Sequence, residues 1–204
     1  EFYLQYSAED YVSKITKAAK ERDITPDLRK KEEVVSDLSK VNDDPAYPFF
    51  SIVNQFEGIL PLGFIPNKLT VYCNEIGKWF VFKSDNHGFN NPNHVWEKKK
   101  IDMVTLGDSF THGACIPDNK NFVNLIREDY PSIINLGIGG NNPLSNLASL
   151  IEYAYPKKPK IILWFHFAGN DLSGMMNYKD HVLYNKYLSD KNFSQNLLER
   201  PKEI

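Results

Sequence analysis

Apolar positions along the 204-residue chain follow two different patterns. Between residues 8 and 22, Tyr11, Ile15, Ala18 and Ala19 recur at helical spacing, and a second, charged helix is predicted after Pro26 as far as about Lys40. Pro45, Pro48, Pro61 and Pro66 interrupt every period between Asn42 and Pro66, so that stretch reads as a long irregular connection. The runs 69–73 and 78–82 then flank Asn74-Glu75-Ile76-Gly77, the pattern of a β-hairpin with a four-residue loop. After Lys98-Lys99-Lys100 short apolar runs alternate with amphipathic ones. Residues 103–106, 132–136 and 160–167 read as strands, the last apolar enough to be buried on both faces as parallel strands are. Residues 119–129 read as a helix with Phe122, Leu125 and Ile126 inward. Asn142 is placed to cap a further helix, with Pro143 at its first position, a stripe of Leu144, Leu147, Ala148, Ile151 and Tyr155, and Pro156 at its end. Residues 180–199 are expected to be helical.

Strands alternating with helices imply a parallel sheet with right-handed crossovers and helices on its faces. Residues 98–204 form that α/β core, and residues 1–97 read as an N-terminal extension of helices, linker and hairpin. Ligands of such sheets bind at the carboxyl ends of the strands. Composition adds exclusions: 42% apolar residues fit a globular protein, and a formal charge of −2 supplies no basic field for nucleic acid. No run approaches the length of a membrane-spanning helix, and no signal peptide is visible. Two cysteines, Cys73 and Cys115, are too few and too far apart for a zinc site, and read either as two buried thiols or as one disulfide. No metal or cofactor is implied.

Each of the three core strands ends in an unusual turn: Gly107-Asp108-Ser109, Gly137-Ile138-Gly139-Gly140-Asn141 and Gly169-Asn170-Asp171. Ser109 to Gly140 is 31 residues and Gly140 to Asn170 is 30, each about one βαβ repeat. Were the strands neighbours, the turns would converge on one sheet edge. A serine hydroxyl at a helix start can act as nucleophile, a glycine lets a backbone N–H approach substrate, and an asparagine adds a neutral donor. Taken singly these are a helix cap, a loop glycine and a turn; at repeat spacing, each after a buried strand, they outline an acyl-transfer site with three donors for an oxyanion. Asp108 fits either an orienting carboxylate or ordinary turn chemistry, and Asp171 can cap the segment after it. The run Trp164–Phe167 reads as sheet core, and the lysine clusters 98–100 and 157–158 as solvated surface.

Those three turns resemble the blocks of the SGNH, or GDSL-type, hydrolases: Gly107–Phe110 the first, Asn135–Gly140 the second, Gly169–Asp171 the third. The resemblance covers residues 101–172, and Cys73-Asn74-Glu75 and Ser84–Asn91 are similar to the lead-in of a bacterial subgroup whose members often carry an N-terminal membrane anchor. It implies a flavodoxin-like three-layer α/β/α sandwich, C-terminally incomplete here. It also implies an extracytoplasmic location with an anchor outside the given chain, and a serine esterase with Ser109 as nucleophile and Gly140 and Asn170 as oxyanion donors. The substrate would be a small-molecule or carbohydrate ester such as an O-acetyl group. Two alternatives remain: a polysaccharide O-acyltransferase using the same site, and a non-catalytic carbohydrate-binding module. A disulfide between Cys73 and Cys115 would tie the extension to the loop after Ser109 and imply an oxidising compartment.

A serine needs a base, and the family's Asp-x-x-His block does not occur after Asn170. Of the five histidines, His112 lies on the same turn as Ser109 and is badly placed for in-line proton transfer. His166 is expected to be buried against a helix. His181 adjoins Asp180 in a way that cannot orient it; His87 and His94 read as turn and loop residues. The expectation is that the base lies outside this chain, leaving the 204 residues nearly inactive.

Overall fold

The computed structural model describes residues 8–49, 58–201 and 203. Two helices open it, α1 (Ala8–Lys20) and α2 (Lys31–Val41), burying Ile15, Ala19 and Val34. A two-residue strand β1 (Tyr47–Pro48) follows, inside the stretch expected to be irregular; the rest of that expectation between residues 50 and 57 lies outside the described residues. The hairpin forms as β2 (Leu69–Cys73) and β3 (Phe80–Lys83), antiparallel, with β1 parallel to β2 on the other side; residues 74–79 connect the two strands, a longer loop than the four residues expected.

The second sheet is parallel: β4 (Met103–Leu106) lies between β5 (Ile133–Asn135) and β6 (Ile161–Trp164). Its helices are α3 (Ser109–His112), α4 (Phe122–Asp129), α5 (Pro143–Ser149), α6 (Tyr155–Lys157), α7 (Asp171–Met176) and α8 (Val182–Ser189). The chain is thus mixed α/β with a three-strand parallel sheet, and the three strands that carry the candidate turns are neighbours. Alternation along the strands sends Val104, Leu106, Ile134 and Leu136 to one face and Met103 and Ile133 to the other. The first face joins a core cluster that includes Leu144 and Ala148 of α5 and Phe64, Tyr72, Phe82, Phe89 and Trp96 from upstream, so residues 58–97 share one hydrophobic core with the parallel sheet. The second face meets Val123 of α4.

Several sequence expectations are corrected by this packing. In α4, Asn121 caps the helix by accepting from Val123 N at 2.8 Å, and this phase turns Val123 inward while Leu125 stays 47% exposed. Asn142 caps α5 as expected, with Pro143 at the first position, but the helix widens into a π-turn at Leu150–Ala154. The extra residue per turn rotates the buried face, so that Glu152, Tyr153 and Ala154 go in and Tyr155 comes out. Pro156 sits inside α6 rather than ending the helix, which stops at Lys158 in the left-handed region. Of residues 180–199 only α8 and a short 3-10 turn are helical. The interruption has a physical cause: the buried Glu152 carboxylate accepts from Tyr187 Oη (2.6 Å), Gln195 N (2.6 Å) and Leu197 N (2.9 Å), pulling residues 194–197 flat against the π-turn. Lys157 is not simply solvated, since its ammonium donates to Trp96 O at 2.6 Å.

The largest correction concerns β6. Expected to be buried on both faces, it is instead the edge of the sheet among the described residues, with Ile161, Ile162, Trp164, Phe165 and Phe167 all exposed, Trp164 by 43%. The aromatic run Trp164–Phe167 is therefore surface among the described residues.

Candidate functional site

Ser109 is the first residue of a single helical turn. Asp108 precedes it as the cap, its carboxylate accepting from Phe110 N at 3.0 Å, and His112 N donates to Asp108 O at 3.0 Å. Gly113 ends the turn in the left-handed conformation (φ 81°), and the Asn121 amide occupies the space that a side chain there would need. The last carbonyl of the turn, His112 O, accepts from Asn121 Nδ2 (3.0 Å) and Asn90 Nδ2 (3.2 Å). From below, His112 anchors the turn in an aromatic cage: its ring stacks on Tyr72 at 5.0 Å and meets Phe64 and Phe82 edge-on. Side-chain amides thus hold the short turn, which is too short to hold itself.

The second turn packs directly on the first. Ile138 N and Asn141 Nδ2 both donate to Gly107 O at 3.3 Å, and a side chain on Gly137 would lie 2.6 Å from His112 N. Beneath it, Asn135 reaches across with Nδ2 to Thr111 O (2.8 Å) and accepts from Gly137 N (2.9 Å) through Oδ1. A shallow cleft opens beside Gly140, bordered by Ile138, Asn142, Ser145, Tyr178 and Tyr184. The third turn adjoins both: Phe165 N donates to Leu106 O at 2.8 Å, the Phe167 and Phe110 rings lie 5.2 Å apart, and Gly174 of α7 sits over Asn142.

Ser109 is half-buried, Gly140 and Asn170 exposed. Among the described residues nothing engages the N–H groups of Ser109 and Gly140, the Asn170 side-chain amide or the Ser109 hydroxyl. The three turns therefore meet at one edge of the sheet, as expected if their strands are neighbours, and these donors are unengaged there.

Two acidic groups lie beside them. Asp108 is buried, and burial, with the nearby Asp171 carboxylate, raises its pKa; its Oδ2 has no partner. Asp171, also buried, does not cap α7. Its Oδ2 accepts from Phe167 N at 2.8 Å and lies 2.9 Å from His166 Nδ1, while Oδ1 is unpartnered. The expectation that His166 is buried fails: its side chain is 42% exposed, because β6 is the sheet edge. The pair was overlooked in the sequence because its members straddle the end of a strand and the start of a helix. The spacing His-x4-Asp across a strand-ending turn is the signal that was available.

The other histidines separate cleanly, His94 being exposed on the short 3-10 turn Asn93–Glu97. His112 is wholly buried, neither ring nitrogen has a partner, and burial pushes its pKa down to about 3. His87 is buried against Trp96 and Tyr153, which brings its pKa down to about 4. His181 caps α8, accepting from Tyr184 N. Among the described residues no group of three or more His, Cys, Asp or Glu converges as a metal site would.

Cys73 and Cys115 form a disulfide, joining the end of β2 to the loop that leaves the Ser109 turn. No helix among the described residues is long and apolar enough to cross a membrane. Comparison with protein-family models, with curated proteins and with solved structures yields no match to this chain.

Proposed function

We propose that the chain is a serine acyl hydrolase acting on a carboxylic ester, an O-acetyl group being the simplest substrate. The observation that supports this best is the meeting of three strand-end turns that offer a free serine hydroxyl and three unengaged donors, Ser109 N–H, Gly140 N–H and Asn170 Nδ2, on one accessible edge. An ester carbonyl seated there would be attacked by Ser109 Oγ, and the donors would take the negative charge that develops on its oxygen. The half-buried setting raises the worth of each donor, because fewer waters compete for the oxyanion. On this reading the three-strand sheet is the centre of a flavodoxin-like three-layer sandwich of SGNH type. The disulfide agrees with an extracytoplasmic, oxidising setting.

A fluorophosphonate probe tests the reading. It should label Ser109, as read by peptide mass spectrometry, and Asn170→Ala should slow labelling by about a hundredfold, the usual effect of losing one oxyanion donor. Labelling that persists undiminished in Ser109→Ala would end the proposal.

A further inference from the structure

We propose that His166, held by Asp171, is the proton acceptor for Ser109, so that this chain carries its own base on the free edge of the sheet. The inference rests on the acyl-hydrolase reading of the Ser109 edge.

The pair has the layout that a serine base requires. Asp171 is fixed before any substrate arrives: its side chain is 1% exposed and its Oδ2 is already bonded to Phe167 N at 2.8 Å. That same oxygen lies 2.9 Å from His166 Nδ1. The carboxylate therefore orients the ring, while the His166 side chain is 42% exposed and Nε2 has no partner among the described residues.

Contacts on both sides bracket the two residues together. Before them, Leu106 and Trp164 are register partners on adjacent parallel strands, and Phe165 O is 3.1 Å from where a Gly107 side chain would begin. After them, the rings of Phe110 and Phe167 meet at 5.2 Å. Ser109 and His166 lie between these contacts on segments that leave strands about 4.8 Å apart. Asp108, next to Ser109, and Asp171, the partner of His166, are close enough for their charges to interact. Ser109 Oγ and His166 are not hydrogen-bonded in the free chain, and the serine–histidine hydrogen bond would form on substrate binding. His112 and His87 are buried, His181 is occupied in capping α8, and His94 lies on the 3-10 turn Asn93–Glu97 and not on any of the three strand-end turns, so none of them competes.

The chemistry balances with water as the only co-reactant. As Ser109 Oγ bonds to the ester carbon, its proton passes to His166 Nε2; the same proton goes to the departing alkoxide as the carbon–oxygen bond breaks. Water then repeats the exchange, releasing the carboxylic acid and restoring the serine. Asp171 is a positioning residue throughout.

The test uses the 204-residue chain and the rate at which a fluorophosphonate forms an adduct on the Ser109 peptide, with fluoride leaving phosphorus as the serine oxygen bonds to it. His166→Ala is expected to slow this rate by about 10²- to 10⁴-fold, and added imidazole to restore part of it, a rescue that a purely structural role would not show. Asp171→Asn should lower kcat on p-nitrophenyl acetate while leaving KM within about twofold. Labelling of His166→Ala at the wild-type rate, with Ser109→Ala unlabelled, would overturn this inference and leave the hydrolase reading intact. An unreactive wild-type chain that labels at Ser109 only when imidazole is supplied would do the same. Absence of Ser109 labelling under both conditions would overturn both.

Discussion

The two edges of the parallel sheet are finished in opposite ways. Beyond β5, the outward backbone of Asn135 meets the carboxamide of Asn91 instead of another strand: Asn91 Oδ1 accepts from Asn135 N at 2.8 Å, and Asn91 Nδ2 donates to Asn135 O at 2.9 Å. Asn91 is held in turn by the buried carboxylate of Asp85, which also accepts from Trp96 Nε1 and from the N–H groups of His87 and Phe89. Burial raises the Asp85 pKa against the pull of these donors. Beyond β6, among the described residues, no strand pairs, and apolar side chains stand in solvent. An open strand edge with such side chains is a ready template for pairing. The difference teaches where each kind of free energy sits. The β5 flank is closed by buried polar groups that satisfy one another; the β6 flank is loosely covered and carries Asn170, His166 and Asp171, the groups that the proposed reaction would use.

Cutting the ties that hold the rest of the core should therefore cost stability, and altering the open edge should not. Removing the disulfide with Cys73→Ser and Cys115→Ser opens a loop of 42 residues. The loss expected from the chain-entropy relation is about 4 kcal/mol by urea unfolding under non-reducing conditions; a loss below about 1 kcal/mol would show that the hairpin is held by its aromatic contacts instead.

Asn91→Ala comes next. It strands Asn135 N and O inside the protein and removes partners from Asp85 and Arg127, for an expected loss of about 3 kcal/mol on the same measurement.

Acid offers a graded version of the same comparison. His112 stays neutral in the fold until about pH 3, whereas in the unfolded chain it takes up a proton near its ordinary pKa of 6.5. The unfolded state therefore binds more protons between those values, and this group's contribution falls by about 1.4 kcal/mol for each pH unit of acidification in that window. Subtracting the stability of His112→Phe from that of the wild type at each pH should isolate this slope; a flat difference would mean that the aromatic cage admits a charge.

The smallest effect is expected on the open edge. Trp164→Thr should change stability by no more than about 0.5 kcal/mol, while reducing self-association at high concentration in light scattering. If it destabilised the chain as much as Asn91→Ala, the contrast between the edges would fail.

Features decided by a few adjacent residues were legible in the sequence. Asn142-Pro143 announces a helix start because cap and ring geometry are local, and the βα alternation places Ser109, Gly140 and Asn170 at equivalent strand ends because a parallel repeat leaves few other ways to cross over. The hairpin is legible for the same reason. The helix phase that buries Val123 instead of Leu125, and the π-turn that turns Tyr155 outward, were not legible, since each is set by what lies across the interface. Asp85 and Asn91 read as turn residues, and nothing local shows that together they finish a sheet edge. Apolar content made β6 look central, because hydrophobicity reports that a strand is apolar and not which neighbours cover it.

What the sequence determined by itself is the set of strand-end turns, their spacing, and the backbone donors and serine hydroxyl they carry, because these depend on backbone chemistry within each turn and on one repeated unit. What only the tertiary structure decided is which groups share an environment. It joined Cys73 to Cys115, left β6 as an edge, withdrew His112 into an aromatic cage, and brought His166 out beside a buried Asp171. Burial and pairing are properties of contacts between segments distant in the chain, and those contacts form only when the whole core does.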